Sequence, residues 1–305
     1  MNVRYCALLV CCLPLVVTNA EVTAPYQLEA DKVVFKPYGN LPGKPLADAL
    51  PTDFDVTYRN DDFSIALSQG RYFCNDQQLP ASFDINTAKA LGSFLLSGQQ
   101  AYAYCEQIKV PVNTAAFALL DHPFASDGRH VFLVTGEVLE GADPKHLKTA
   151  HGQAADLRHY YYVAEQTKII PHKGKVVLYD TCQGWAKIDD TLYFEGETQQ
   201  EVDASSFHCL NFSSAVTKDG FYSGNKRIAP LPKGVDSDLI KPLQENFVTD
   251  GTRVWYVNIK PTELEGVNLA AAKVEYDQLS DGAHNWDCSV HDDLGNPSCE
   301  KTAVE

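Results

Sequence analysis

Apolar residues along this chain occur in short runs that alternate with polar residues, and many of the runs are separated by an aspartate. Residues 124–132 read FASDGRHVF, and residues 247–255 read FVTDGTRVW. Asp-Gly between two apolar runs predicts a β-hairpin, because glycine accepts the positive φ that a tight turn requires. We therefore predict a hairpin in each segment, with the Val-aromatic pair on its second strand.

Further hairpin turns are predicted at a regular spacing. Turns at Asp189, Asp219 and Asp250 lie about thirty residues apart, and Gly70, Gly98 and Asp127 give similar steps. A unit of this size does not bury its own apolar face, so consecutive units must stack. The predicted fold is mainly β with short helical turns. Its tandem hairpin repeats are expected to stack in an open or solenoid-like array, since propeller blades need about 40–45 residues.

A capped helical turn is predicted after each hairpin. Ala142-Asp143, Val202-Asp203 and Val235-Asp236 each place a small apolar residue before an aspartate, and Leu147, Phe207 and Ile240 follow four residues later. Val112-Asn113 with Phe117 and Val267-Asn268 with Ala272 repeat the spacing. This pattern is typical of an N-cap with a hydrophobic staple.

The repeat resembles the DKNYY family of bacterial repeat proteins. The resemblance is best from Phe124 to Leu147, where Asp127, Gly136 and Gly141-Ala-Asp-Pro144 fit the family pattern. Phe132-Leu133 and Trp255-Tyr256 depart from it, since the family has Tyr-Tyr there. The resemblance implies a bacterial source and brings no activity or catalytic residue with it.

The N-terminus predicts a cleaved signal peptide. Arg4 is the only charged residue in 1–20, residues 7–17 are apolar, and Ala20 offers a small residue before a cut. The apolar run is shorter than the roughly 20 residues that span a bilayer. We expect residues 1–20 to be removed, hairpin repeats in 21–150 and 151–275, and an acidic, disulfide-closed tail in 276–305. The mature protein is then periplasmic or secreted, without a membrane span.

Cysteine usage supports an oxidising compartment, because an even number of cysteines follows the predicted cleavage site. Cys74 and Cys105 each follow an aromatic strand in consecutive units, Cys182 and Cys209 flank a hairpin, and Cys288 and Cys299 close a short loop. We predict three disulfides: Cys74–Cys105, Cys182–Cys209 and Cys288–Cys299.

The net negative charge of the chain disfavours nucleic acid as a partner. The net charge is −15, and the sequence offers no basic stripe, so phosphate backbones would be repelled. We expect no nucleic-acid partner; a protein or a glycan fits better. No Walker loop, dinucleotide loop or Gly-x-Ser-x-Gly elbow occurs. We therefore predict no cofactor and no catalytic residue.

Several residues were weighed as site candidates. The turn aspartates Asp127, Asp219 and Asp250 have the chemistry of a paired-carboxylate site, but their turn positions explain them. The caps Asp143, Asp203 and Asp236 are explained equally well, and we interpret His130, His146 and His208 as surface or packed residues. A metal site was considered at His284, Asp287, His291 and Asp293, but no known ligand spacing joins them, and we predict no metal. An exposed row of rings could stack on sugars, but core packing is the preferred interpretation. The rings in question are those of Trp255, Tyr256, Tyr193 and Tyr222.

Three functions remain open. The first is an exported, non-enzymatic repeat protein that binds an unknown protein or glycan through an extended surface. The alternative is a secreted hydrolase of glycan or cell-envelope substrates, with dispersed carboxylates such as Glu137, Asp189 and Glu195. The third is a purely structural component of the envelope.

Overall fold

The computed structural model describes residues 25–29, 31–37, 42–258, 260–291 and 297–304. The predicted signal peptide lies outside these residues. The protein is nearly all β, with 45% of residues in strands and 3% in helix. The described strands form small antiparallel sheets that follow one another along the chain. The predicted fold class is confirmed.

The first of two compact units ends at Asp84 and contains two sheets. Sheet 1 has β1 (Tyr26–Glu29), β2 (Lys32–Phe35) and β3 (Lys44–Pro45). Sheet 2 has β4 (Asp55–Arg59), β5 (Ser64–Ser68), β6 (Arg71–Cys74) and β7 (Gln77–Gln78). Tyr26, Val33 and Phe35 of sheet 1 pack against Ala66 and Phe73 of sheet 2.

The second unit begins at Ile85 and contains sheets 3 to 9. Sheet 3 has β8 (Lys89–Leu91), β9 (Phe94–Ser97), β10 (Gln100–Ala103) and β11 (Glu106–Gln107). Sheet 4 has β12 (Ala118–Leu119), β13 (Phe124–Ser126) and β14 (Val131–Leu133). Sheet 5 has β15 (Lys148–Ala150), β16 (Gln153–Ala155), β17 (His159–Tyr162) and β18 (Lys168–Pro171). Sheet 6 has β19 (Val176–Leu178), β20 (Trp185–Ile188), β21 (Thr191–Phe194) and β22 (Glu197–Thr198).

The remaining sheets follow the same order. Sheet 7 has β23 (His208–Cys209), β24 (Ser214–Thr217), β25 (Gly220–Ser223) and β26 (Lys226–Ala229). Sheet 8 has β27 (Lys241–Gln244), β28 (Phe247–Thr249), β29 (Val254–Tyr256) and β30 (Thr262–Leu264). Sheet 9 has β31 (Lys273–Glu275), β32 (Gln278–Ser280), β33 (His284–His291) and β34 (Pro297–Ala303). Each sheet is a meander in which neighbours in sequence pair antiparallel.

In the four-stranded sheets the predicted hairpins form the two central strands, whereas in sheet 4 the hairpin is β13–β14 and β14 is an edge strand. Val131-Phe132 lies on β14 and Val254-Trp255 on β29, each on the second strand of its hairpin as predicted. The repeat is larger than a hairpin, however, because a short strand flanks the hairpin on each side, or on one side only in the three-stranded sheets 1 and 4. Such strands are hard to read from sequence, since β22 and β23 contain only two residues each.

The two faces of a sheet pack against different neighbours. In sheet 8, Trp255 packs with Val216 and Phe221 of sheet 7, whereas Val254 and Tyr256 pack with sheet 9. Side chains alternate across a strand, so one strand serves two cores. Equivalent clusters join each pair of consecutive sheets from sheet 3 to sheet 9.

This stacking explains why the four candidate aromatic side chains are packed in the protein interior. Trp255 and Tyr256 are each 2% exposed and Tyr222 is 5% exposed, while Tyr193 packs beside Tyr160. Each of these sheets packs against a neighbour on both faces, so the face opposite one hydrophobic core belongs to the next core. These rings therefore form no exposed row. The core-packing interpretation of these rings is confirmed.

The capped turns are also present. Short 3₁₀ helices cover Ile85–Thr87, Thr114–Ala116 and Ser237–Leu239. The side chains of Asp143, Asp203 and Asp236 each accept a hydrogen bond from the N–H two residues later. Four of the five predicted staple pairs share a hydrophobic cluster. The fifth differs, because Val267 packs beside Leu269 and Val274 rather than Ala272.

Two predicted disulfides are confirmed. Cys182–Cys209 and Cys288–Cys299 have Cα–Cα distances of 5.6 and 4.0 Å. Cys74 and Cys105 are disulfide-bonded as well. The Cys182–Cys209 bond joins the segment before β20 to β23, and so ties sheets 6 and 7 together.

The predicted boundary after residue 150 and the predicted C-terminal tail both lie within sheets of the second unit. The division predicted after residue 150 falls in the turn between β15 and β16, which pair through Ala150 and Gln153. The segment predicted as a tail, 276–305, carries the last three strands of sheet 9. Trp286 in β33 is 2% exposed and packs in the cluster shared with sheet 8.

Candidate functional site

The turn aspartates are structural anchors of the repeat. Asp127 Oδ1 accepts hydrogen bonds from the N–H groups of Arg129 and His130, at 2.8 and 2.6 Å. Its Oδ2 accepts from the N–H of Asn113, at 3.0 Å. One carboxylate therefore closes the hairpin turn and fixes the capped turn that precedes the sheet.

We call this arrangement, in which one carboxylate bonds both the hairpin turn and the preceding capped turn, the corner. The same corner recurs in two further repeats. Asp156 accepts from the N–H groups of Arg158, His159 and Asp143, and Asp281 accepts from those of Ala283, His284 and Asn268. Asp250 Oδ1 closes its own turn in the same way. Its Oδ2 pairs with the Arg253 guanidinium, at 2.8 Å, in place of an N–H of the preceding capped turn.

A basic residue follows each of these aspartates by three positions and an aromatic residue follows by five. His130 contacts Phe132, His159 contacts Tyr161 and His284 contacts Trp286, with ring centroids 5.7–5.8 Å apart. In sheet 8, Arg253 lies 5.1 Å from the centre of the Trp255 ring. The corner thus links the turn to the buried ring beneath it.

Hydrogen bonding keeps these carboxylates ionised. Burial opposes ionisation of Asp127 and Asp156, but the N–H donors outweigh it and hold the pKa of each below its usual value. Burial also opposes ionisation of Asp250, whose donors lower its pKa to about 2. The Asn268 N–H contributes most to lowering the pKa of Asp281 to about 2. Their pKa shifts and occupied oxygens indicate a structural role.

The strongest candidate for a binding site is a groove between sheets 5 and 6, here called the basic groove. It has a volume of about 690 Å³. His146, Lys148, His172, Lys173 and Lys175 line it together with strand β19 and Leu157. Asp156 and Asp180 are its acidic lining residues, and both Asp156 oxygens already accept hydrogen bonds within the corner.

Local hydrogen bonds fix the loop that carries the basic residues. The His172 N–H donates to the Arg158 carbonyl at 2.8 Å, and the ring Nδ1 lies 3.0 Å from the Gly174 carbonyl. The Lys175 N–H donates to Asp189 Oδ1 at 3.0 Å. Gly174 permits this approach, since a Cβ there would lie 1.8 Å from Asp189 Oδ2. The loop is held by its backbone, which leaves the lysine side chains exposed.

The groove concentrates positive charge in an acidic protein. Lys148, Lys173 and Lys175 are exposed and form no ion pair within the described part of the chain. The surrounding segment, 145–175, is basic, with Asp156 and Glu165 as its only acidic residues. Its basic residues are Lys145, Lys148, Arg158, Lys168, Lys173 and Lys175. The net charge of the whole chain hides this local excess of positive charge.

A second groove, of about 790 Å³, lies between sheets 6 and 7. Gln199, Gln200 and Asn225 line it together with Glu201, Asp219 and Arg227. Its two carboxylates outnumber its one guanidinium, so it lacks the excess of positive charge that the basic groove has. We therefore take the basic groove as the candidate site.

The other candidate residues have separate environments. Asp189 holds the N–H of Lys175, while Glu195 occupies the turn between β21 and β22 and Glu137 follows β14. Asp287 accepts a hydrogen bond from Gln278 on the neighbouring strand. No group of metal-ligating side chains occurs among the described residues, which do not include Asp293.

The predicted histidines also have local partners. His130 lies beside Asp127 at 3.3 Å, and His146 Nδ1 lies 2.7 Å from Asp143 Oδ2. That hydrogen bond contributes most to holding the pKa of Asp143 below its usual value. His208 lies 3.1 Å from Asp238. Of these three, the structure brings only His146 to the basic groove.

Comparison with known proteins adds no family to this description. Neither a protein-family model nor a curated protein nor a solved structure matches the chain. Within the described residues, no helix is long and apolar enough to cross a membrane. The candidate site therefore depends on geometry and charge alone.

Proposed function

We propose that this chain is an exported, non-enzymatic repeat protein that binds an anionic partner through the basic groove. The observation that carries the proposal is the cluster of unpaired lysines in a chain of net charge −15. Exposed lysines that form no ion pair with another described residue remain free to pair with carboxylate or sulfate groups of a partner. The stacked sheets hold them in fixed positions.

The net negative charge does not prevent such binding. Screening at physiological ionic strength limits the reach of a surface charge to about 8 Å. A partner in the groove therefore responds to the local lysines more than to distant acidic sheets. A nucleic acid, which extends far beyond the groove, would meet the acidic surface as well.

Several observations support export. The N-terminal sequence has the composition of a signal peptide, and disulfides such as Cys182–Cys209 persist in oxidising compartments. The resemblance to the DKNYY family implies a bacterial source, for which export leads to the periplasm or the extracellular space. We propose one of these locations for the mature protein.

Binding of charged polymers tests the proposal. Poly-glutamate and dextran sulfate are titrated against the protein, with uncharged dextran as the control polymer. We expect at least one anionic polymer to bind, with an affinity that falls as salt rises. Changing Lys173 and Lys175 together to glutamate should weaken it at least roughly tenfold.

The matched control is Lys233→Glu combined with Lys241→Glu, which makes the same charge change at two exposed positions outside the groove. It should leave binding unchanged. If neither anionic polymer binds, or if the control weakens binding as much as the groove variant, the proposal is wrong.

A further inference from the structure

We propose that the basic groove binds an extended acidic peptide, which adds as a strand to the outer edge of β19. This inference rests on the proposed function and names the partner of the same site. Three features carry it: the unpaired edge of β19, the lysines beside that edge, and the apolar residues between them.

The edge is defined by the hydrogen-bond pattern of sheet 6. β19 is the first strand of that sheet and pairs only with β20 among the described residues. The Asp189 N–H donates to the Lys175 carbonyl, and Val177 lies opposite Lys187. Hydrogen-bonded pairs alternate in an antiparallel ladder, so Lys175 and Val177 bond toward β20.

The backbone groups of Val176 and Leu178 consequently point away from the sheet. No backbone hydrogen bond on that side is formed with another described residue. Backbone N–H and C=O groups of this kind form a template for one more strand. Strand addition to an exposed edge is a common mode of peptide recognition.

The positive charges beside the edge of β19 favour a peptide with acidic side chains. Lys173 and Lys175 lead directly into β19, and Lys148 lies across the groove on β15. All three side chains are exposed. A strand laid along β19 would pass these ammonium groups, so acidic side chains on one of its faces would be neutralised.

The groove also contains apolar surface. Val176, Val177 and Leu178 are half-buried, and Leu157 is 64% exposed. Residues of an extended peptide alternate between two faces. A segment in which acidic and apolar residues alternate would therefore meet the lysines with one face and Leu157 with the other.

The same lining argues against a polysaccharide as the natural ligand. Sugar rings stack on aromatic side chains, and none of the residues that line the groove is Trp, Tyr or Phe. A second copy of the chain is disfavoured by the mutual repulsion of two proteins with net charge −15.

The test uses a short synthetic peptide in which glutamate alternates with leucine, titrated against the full-length mature protein. We expect binding that weakens at least roughly tenfold in the variant carrying Lys173→Glu and Lys175→Glu. Leu157→Ala should also weaken it, whereas the matched control Leu239→Ala, at a position 56% exposed, should have no effect. Two peptides of the same sequence, one N-methylated at its leucines and the other at its glutamates, test the strand. One of them should not bind, because the N–H groups of alternate residues point to the same side of a strand, and methylation of the set that faces β19 removes its hydrogen bonds.

The outcomes separate the inference from the function on which it rests. Binding by both N-methylated peptides as tight as that of the unmodified peptide would overturn strand addition. Lysine-dependent binding of dextran sulfate without peptide binding would overturn the inference and leave the proposed function standing. If the peptide, poly-glutamate and dextran sulfate all fail to bind, both are wrong. Concentration-dependent dimers that dissociate in the Lys173→Glu, Lys175→Glu variant, with no peptide binding, would make a second copy the occupant and also overturn the inference.

Discussion

Asp127 illustrates how one side chain organises a repeat. Its two oxygens accept from three backbone N–H groups, two in the hairpin turn and one in the capped turn before the sheet. The side chain is fully buried. A backbone donor that loses its partner away from water costs about 1–3 kcal/mol. The aspartate therefore fixes the distance between two elements as well as the shape of its own turn.

Replacing this carboxylate should destabilise the protein in proportion to the donors left unpaired. Asp127→Ala removes both acceptors, and we expect the free energy of unfolding to fall by about 2–3 kcal/mol. Asp127→Asn retains one acceptor oxygen but places an NH₂ group against the Asn113 N–H, so a smaller loss is expected. Urea unfolding followed by tryptophan fluorescence measures both. Asp190→Asn, at an exposed turn position, is the control. Equal stability of Asp127→Ala and the control would contradict this account.

The low pKa of the corner aspartates predicts how stability depends on pH. A carboxyl with a lower pKa in the folded state stabilises the protein above its unfolded pKa of about 3.9. That contribution is lost as pH falls through the folded value, which is about 2 for Asp281. We expect Asp281→Asn to be less stable than wild type near neutral pH. The difference should narrow as the pH falls from about 4 to about 2, as measured by urea unfolding across that range. A difference independent of pH would rule out this linkage.

At the scale of elements, sequence patterns locate a hairpin where the turn has an explicit signal. Asp127-Gly and Asp250-Gly were found in this way, and so were their second-strand aromatic residues. The hairpin after Asp156 was missed because Leu157, not glycine, follows the aspartate. There the carboxylate itself closes the turn, through the N–H groups of Arg158 and His159. The usable signal is Asp followed by His or Arg three positions later and an aromatic residue after five.

The basic groove was beyond prediction for a different reason. Lys148 and Lys175 lie on the first strand of one sheet and just before the first strand of the next. Their proximity depends on how sheets 5 and 6 stack, which no local pattern encodes. Only the excess of lysine and arginine in 145–175 was visible in the sequence. The sequence therefore predicts the repeat and the two confirmed disulfides, but it does not predict the candidate site.

The pairing of the outer strands can be tested at Gly220, where β25 begins. Its φ is +150°, and a Cβ there would lie 2.1 Å from the carbonyl oxygen of Ala229 on the neighbouring strand. Gly220→Ala should therefore displace β26 and lower the free energy of unfolding by roughly 3 kcal/mol or more. Gly251→Ala is the control, since its φ is +90° but its Cβ would meet nothing within 4 Å. That variant should lose only about 1–2 kcal/mol from backbone strain. Urea unfolding that gives equal losses would show that the contact with Ala229 does not matter.

At the scale of the whole molecule, the second unit is held together by interfaces between consecutive sheets. Each hydrophobic cluster from sheet 3 to sheet 9 joins two neighbours. Stability in such an array is approximately a sum of the terms for each repeat and for each interface between neighbours. A lost interface should therefore weaken the two sheets beside it more than distant ones.

Hydrogen exchange on two core variants tests this nearest-neighbour behaviour. Trp255 fills the interface between sheets 7 and 8, and Phe124 fills the one between sheets 4 and 5. Replacing either by alanine should cost about 3–5 kcal/mol by leaving a cavity. In Trp255→Ala, we expect amide protection to fall mainly in β24, β25, β28 and β29, because local opening there no longer breaks a packed interface. In Phe124→Ala the loss should move to β13, β14, β16 and β17. A uniform loss of protection from sheet 3 to sheet 9 in both variants would mean that the unit opens as one cooperative body, and the additive description would then be wrong.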